Sequence, residues 1–168
     1  MKKLIYLIPL VLLIVSCNKD SEQRGYKNSV RFELFQSSDF EYTGFLEVFE
    51  LNDGKVRMDI QLTGANSPSL DFPAHLHFGA YDAPVAEIAA MLNPINGSDL
   101  KSSTILPTLA DGEVLSFEDF QSFDGHIKIH LAAEGPDYEV ILVSGNIGSN
   151  YTAGLGFDMD KITTCSPK

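Results

Sequence analysis

The run GFLEVFELNDGKVRMDIQLTG, residues 44–64, constrains the fold more than any other stretch of this chain. Its second arm alternates Val56, Met58, Ile60 and Leu62 with Arg57, Asp59 and Gln61. That is the period of a strand with one face buried and one wet. Asp53-Gly54 between the arms supplies the turn chemistry of a β-hairpin. SVRFELFQ (29–36) alternates in the same way, and YEVILVSG (138–145) is a continuous apolar run of strand length. Many short strands separated by turns, with little helix, predict an all-β, antiparallel fold, either a β-sandwich or a Greek-key barrel. Two segments break the pattern. APVAEIAAMLN (83–93) places Val85, Ile88, Met91 and Leu92 at helical spacing, although so short a piece also fits a strand. SFEDFQSF (116–123) predicts one or two helical turns, with Ser116 and Asp119 forming a capping box. Asp119 and Asp124, flanking that turn, read as cap and turn residues.

The ends of the chain read as an address. Met1-Lys2-Lys3 precedes an apolar run from Leu4 to Val15, too short to span a bilayer comfortably and suited to the h-region of a secretory signal. Ile14-Val15-Ser16-Cys17 resembles the lipobox of bacterial lipoproteins, which implies a signal peptide at 1–16, cleavage before Cys17 and acylation of Cys17. The expected location is then the bacterial cell envelope, lipid-anchored, facing the periplasm or displayed on the cell surface. The acidic stretch CNKDSE resembles the export signals of some surface lipoproteins. Residues 17–28 lack periodicity and predict a flexible tether, and 29–164 one folded domain. The formal net charge is −11, which argues against nucleic acid as a partner. With Cys17 lipidated, Cys165 has no disulfide partner and the fold stands on its core.

The chemistry rests on histidine. In PAHLHFG (73–79), His75 and His77 fall on one face of a strand, with Ala74, Leu76 and Phe78 on the other. GHIKIHL (125–131) repeats the device: His126, Lys128 and His130 oppose Ile127, Ile129 and Leu131. All four histidines thus turn away from the apolar side of their strands. A His-x-His pair on a strand sets its Cα atoms roughly 6–7 Å apart, a separation that lets two nitrogens converge on one ion. Imidazole without thiolate favours copper or zinc. His130 is the obvious third ligand. His126 fits less well, because four strand residues carry it roughly 13 Å from His130. Asp82 and Glu134 are possible carboxylate contributors. The alternative is plain: with Lys128, the histidines form the wet face of a sheet.

AHLHFGAYDAPVAEIAAML and DGHIKIHLAAEGPDYEVILVSGNIG together resemble a CHRD domain, the module first described in chordin. That resemblance implies a sandwich related to copper/zinc superoxide dismutase, over roughly residues 44–150. HLHFG is similar to the dismutase copper strand, Ile129-His130 sits where a later copper histidine would, and GNIGSN is similar to its Gly-Asn-Ala-Gly turn. Carried over, His75, His77 and His130 become copper ligands. The departures are equally definite. No histidine lies between His77 and His126, where the bridging and zinc histidines belong. Asn150 and Tyr151 occupy the neighbourhood of the steering arginine, the disulfide has no counterpart, and YEVILVSG replaces the CHRD Gly-Glu-Ile-Arg-Gly run.

Three functions are compatible with these residues. The first is a lipid-anchored domain holding one copper or zinc ion, without efficient dismutase activity, since an acidic surface repels an anionic substrate. The second is a non-catalytic module binding a surface protein or glycan, for which Phe35, Phe40, Tyr42, Phe45, Tyr81 and Tyr151 are candidate exposed aromatics. The third is weak redox catalysis at a copper-only site, which needs an open coordination position.

Overall fold

The computed structural model describes residues 25–85 and 87–163. The signal, lipobox, Cys17 and Cys165 lie outside them. Eight antiparallel strands run β1 Tyr26–Gln36, β2 Thr43–Leu51, β3 Val56–Thr63, β4 Asp71–Phe78, β5 Ile88–Asn96, β6 Lys101–Ile105, β7 Asp124–His130 and β8 Ile141–Gly148. They close into a barrel in the order β1-β2-β3-β6-β5-β4-β7-β8. The closure is uneven. β1 meets β8 through Phe35↔Ser144 and Gln36↔Val143, and β5 meets β6 through Asn96↔Lys101. These thin seams leave two four-stranded halves with long ladders inside each. No helix among the described residues is long and apolar enough to cross a membrane.

The alternation read from sequence places the core. Val56, Met58, Ile60 and Leu62 face inward from β3 and meet Leu46 and Val48 of β2, Leu76 of β4, and Ile127 and Ile129 of β7, all buried. The segment between β6 and β7 brings Leu109, Phe117 and Phe120 into the same core. Phe117–Phe120 form the single helical turn α1. Its capping box is as expected: the Ser116 hydroxyl accepts from the Asp119 N–H and the Asp119 carboxylate accepts from the Ser116 N–H. Phe120 is fully buried, with ring centroids of Phe32 and Phe123 at 6.0 and 6.1 Å.

Four boundaries differ from expectation. β1 begins at Tyr26, so the last three residues of the expected tether belong to the strand, Tyr26 and Asn28 pairing with Leu51 and Glu50 of β2 around a bulge. Helical spacing at 83–93 is misleading: Ile88–Asn96 is a strand, its buried residues are Ala89, Ala90, Leu92 and Ile95, and Val85 and Met91 are exposed. The apolar run at 138–145 becomes strand only from Ile141, because Pro136–Glu139 form a 3₁₀ turn entered through Gly135 at φ 75°. Strand β6, KSSTI, has too little apolar content to announce itself.

One turn is sterically exacting. Gly148 ends β8 at φ 60°, and a Cβ there would lie 2.0 Å from the Phe123 carbonyl oxygen and 2.9 Å from that of Phe120. Gly54 has φ 84° with open space around it. Gly148→Ala is therefore expected to cost about 2–3 kcal/mol, and Gly54→Ala about 1 kcal/mol from backbone conformation alone. Urea unfolding midpoints measure both, and equal costs would contradict the clash at Gly148.

Candidate metal centre

β4 and β7 are neighbours, and their register sets His75 opposite Lys128 and His77 opposite His126. The four imidazoles form a continuous row, His126, His77, His75, His130, with successive ring centroids 4.8, 5.8 and 4.9 Å apart. The ligand atoms of His75, His77 and His130 all lie within 4.8 Å of one another. Among the described residues no other cluster of three such groups occurs. A metal–nitrogen bond of about 2.0 Å asks for nitrogens about 3.4 Å apart, a gap that small side-chain rotations close.

His126 does not join them. Its ring stacks on that of His77 with planes 12° apart. Nitrogen lone pairs lie in the ring plane, so an ion in the plane of one stacked imidazole sits well off the plane of the other. Asp82 and Glu134 are exposed and outside the cluster.

The face is not wet. His75 is 2 % exposed, and His77, His126, Lys128 and His130 are 0 % exposed. Residues Gly125 to His130 are buried on both faces of β7. Three irregular segments lie over the outer one. The loop after β4 supplies the Gly79 carbonyl, which accepts from His126 Nδ1 at 2.6 Å. The 3₁₀ turn supplies Tyr138, whose carbonyl accepts from His130 Nδ1 at 2.6 Å and whose ring stacks on His130 at 4.4 Å and 5°. The segment after β8 ends on Lys128, whose ammonium donates to the Thr163 carbonyl. Thr163 is itself tied to Tyr81 and Ala83.

These contacts assign the protons. A carbonyl only accepts, so His130 carries hydrogen on Nδ1 and presents the Nε2 lone pair, the arrangement by which a partner behind the ring orients a metal ligand. The Nδ1 of His75 and the Nε2 of His126 are buried without partners. Each is a desolvated polar atom, costly unless something partners it, and on His126, whose Nδ1 donates to Gly79, it is a lone pair. Burial lowers the pKa of His75 to about 4, with His130 adding to the effect. Burial likewise lowers His126 to about 4, against its hydrogen bond to the Gly79 carbonyl, and Lys128 lowers it further. His130 is lowered by burial against its bond to Tyr138. His75, His126 and His130 are therefore neutral at pH 7, the state that ligates a metal.

Sequence reasoning named all three clustered histidines and set His126 apart. It missed Tyr138 and the covering segment, whose signal was only the Gly135-Pro136 turn five residues beyond His130. Of the six candidate exposed aromatics, only Phe40 is exposed. Tyr42 and Tyr81 are buried, and Phe45 lies beneath the Arg31 guanidinium at 3.5 Å. No family model, curated protein or solved structure matches this chain.

Proposed function

We propose that this chain is an envelope-anchored, CHRD-like domain that binds one copper or zinc ion through His75, His77 and His130, and is not an efficient dismutase. The observation that carries the reading is the convergence of three buried imidazoles, one with its tautomer fixed from behind and one with an unsatisfied nitrogen. The unpartnered buried nitrogen of His75, inside the cluster, fits a ligand set better than it fits a packed core. When bound, the ion supplies Lewis acidity, and copper also one-electron exchange. His75 and His77 hold it from β4, His130 from β7, and Tyr138 orients His130.

The relation to the dismutase-like sandwich is supported by strand order. β4, β5 and β6 are consecutive neighbours and β7 returns beside β4, as in a Greek key. The two thin seams accord with two facing sheets. Weak dismutase function follows from charge. The net charge is −11, and the nearby cation, Lys128, is buried and engaged by Thr163 rather than aimed at solvent. Anchoring at Cys17 rests on the lipobox-like residues 14–17.

Calorimetric titration of the purified protein with Cu(II) and Zn(II) tests the reading. One equivalent is expected to bind tighter than about 1 µM, weakening at least about a hundredfold in His75→Ala/His77→Ala. His126→Ala should keep the stoichiometry. Binding unchanged by the double substitution would end the proposal.

A further inference from the structure

Beside the segment that covers the histidine face lies a half-enclosed cavity of about 160 Å³, walled by aromatic rings and unrelated to any ligand of the proposed ion. Phe35, Tyr81, Tyr151 and Phe157 line it, together with Asp82. Phe157 packs against Phe35 at 4.9 Å and Tyr81 at 4.7 Å, which fixes three of the rings as one wall. Tyr151 is fixed separately, edge-on to Phe32 at 5.0 Å. Gly154 allows the covering segment to approach, since a Cβ there would meet the Phe35 ring at 2.8 Å. Leu155, also in the lining, is 81 % exposed.

We propose that this cavity binds a quaternary ammonium group, of the trimethylammonium class, between the four rings and Asp82. Three features select that chemistry. Aromatic faces carry negative potential and attract a desolvated cation. Asp82 is the one charged residue of the lining, and neither lysine nor arginine is among the lining residues described. Several of the other polar groups are already committed. The Asn146 side-chain oxygen accepts the Tyr81 N–H, the Tyr81 hydroxyl donates to Gly156 and accepts from Asp158, and the Thr152 hydroxyl donates to Leu155. A sugar would need those hydrogen bonds; a methylated ammonium, which donates none, does not. The volume is near that of a cavity of about 150 Å³ that takes benzene, and so suits a head group of about five or six heavy atoms. The proposal does not rest on the metal reading.

The test is a titration of the purified full chain with choline and, separately, with 3,3-dimethylbutan-1-ol, its uncharged isostere, following the aromatic proton resonances of Tyr81, Tyr151 and Phe157. Choline is expected to bind with Kd on the order of 1 mM, the neutral isostere roughly tenfold more weakly, and Asp82→Asn to weaken choline roughly threefold to tenfold. Asp82 is exposed, so its replacement leaves the fold intact. Phosphatidylcholine vesicles form a second arm: retention of the chain on them, competed by choline, assigns the group to a lipid headgroup, and lack of retention to a free solute. Equal binding of the two isosteres, shifts confined to other residues, or no shift at about 10 mM choline would overturn the proposal.

Discussion

Between pH 6.5 and pH 4 the metal-free protein is expected to lose most of its stability. His75 and His126 have pKa values lowered to about 4 in the fold against 6.5 for an unperturbed histidine, and His130 is lowered too. The unfolded chain therefore binds more protons than the folded one across that window, so stability falls as pH falls. The contribution is fully present above pH 6.5 and gone below about 4. Each of the two larger shifts corresponds to on the order of 2–3 kcal/mol, and together they compare with the whole stability of a small domain. The cause is first burial; His130 lowers His75 further, and the Lys128 ammonium lowers His126 and His130 further. Urea midpoints taken every half pH unit would show the slope. A saturating metal ion, which holds the ligands neutral, should move the acid transition downward. Flat stability from pH 7 to 4.5 would mean that these rings are solvated and that the covering segments do not lie on them.

Phe120→Ala should cost about 3–5 kcal/mol, the largest effect of any single core truncation proposed here. Phe120 is 0 % exposed and lies on the one helical turn that brings the β6–β7 connection into the barrel core. Its backbone is held on both sides: its N–H donates to Ser116 and its carbonyl accepts from Phe123. The surroundings are thereby prevented from collapsing fully into the space left by the ring. Phe40→Ala is the comparison. Phe40 is 44 % exposed, and its loss should change stability by no more than about 1 kcal/mol. Thermal unfolding of the two variants separates them. Similar Tm values would show that Phe120 is not sealed in the core.

The metal-centre residues were legible because a strand has period two. His75-Leu76-His77 and His126 to His130 assign their own faces, and the family resemblance implied only that His75, His77 and His130 share one ion. The separation of His126 from His130 along β7 was also legible, since the rise per residue fixes it. Whether that face was dry was not. Alternation reports which side of a strand is apolar, and from it the polar side reads as wet.

The sequence by itself determined an antiparallel all-β chain, the β2–β3 hairpin at Asp53-Gly54, the capped turn at Ser116 and the histidines that share a face. Only the tertiary structure decided that β4 and β7 lie side by side, that β8 closes on β1, and that loops without any periodicity cover the histidine face. The reason is physical. Local pattern follows from backbone geometry within a few residues, whereas the dryness of the histidine face comes from segments distant in the chain, whose backbone carbonyls at Gly79, Tyr138 and Thr163 meet His126, His130 and Lys128.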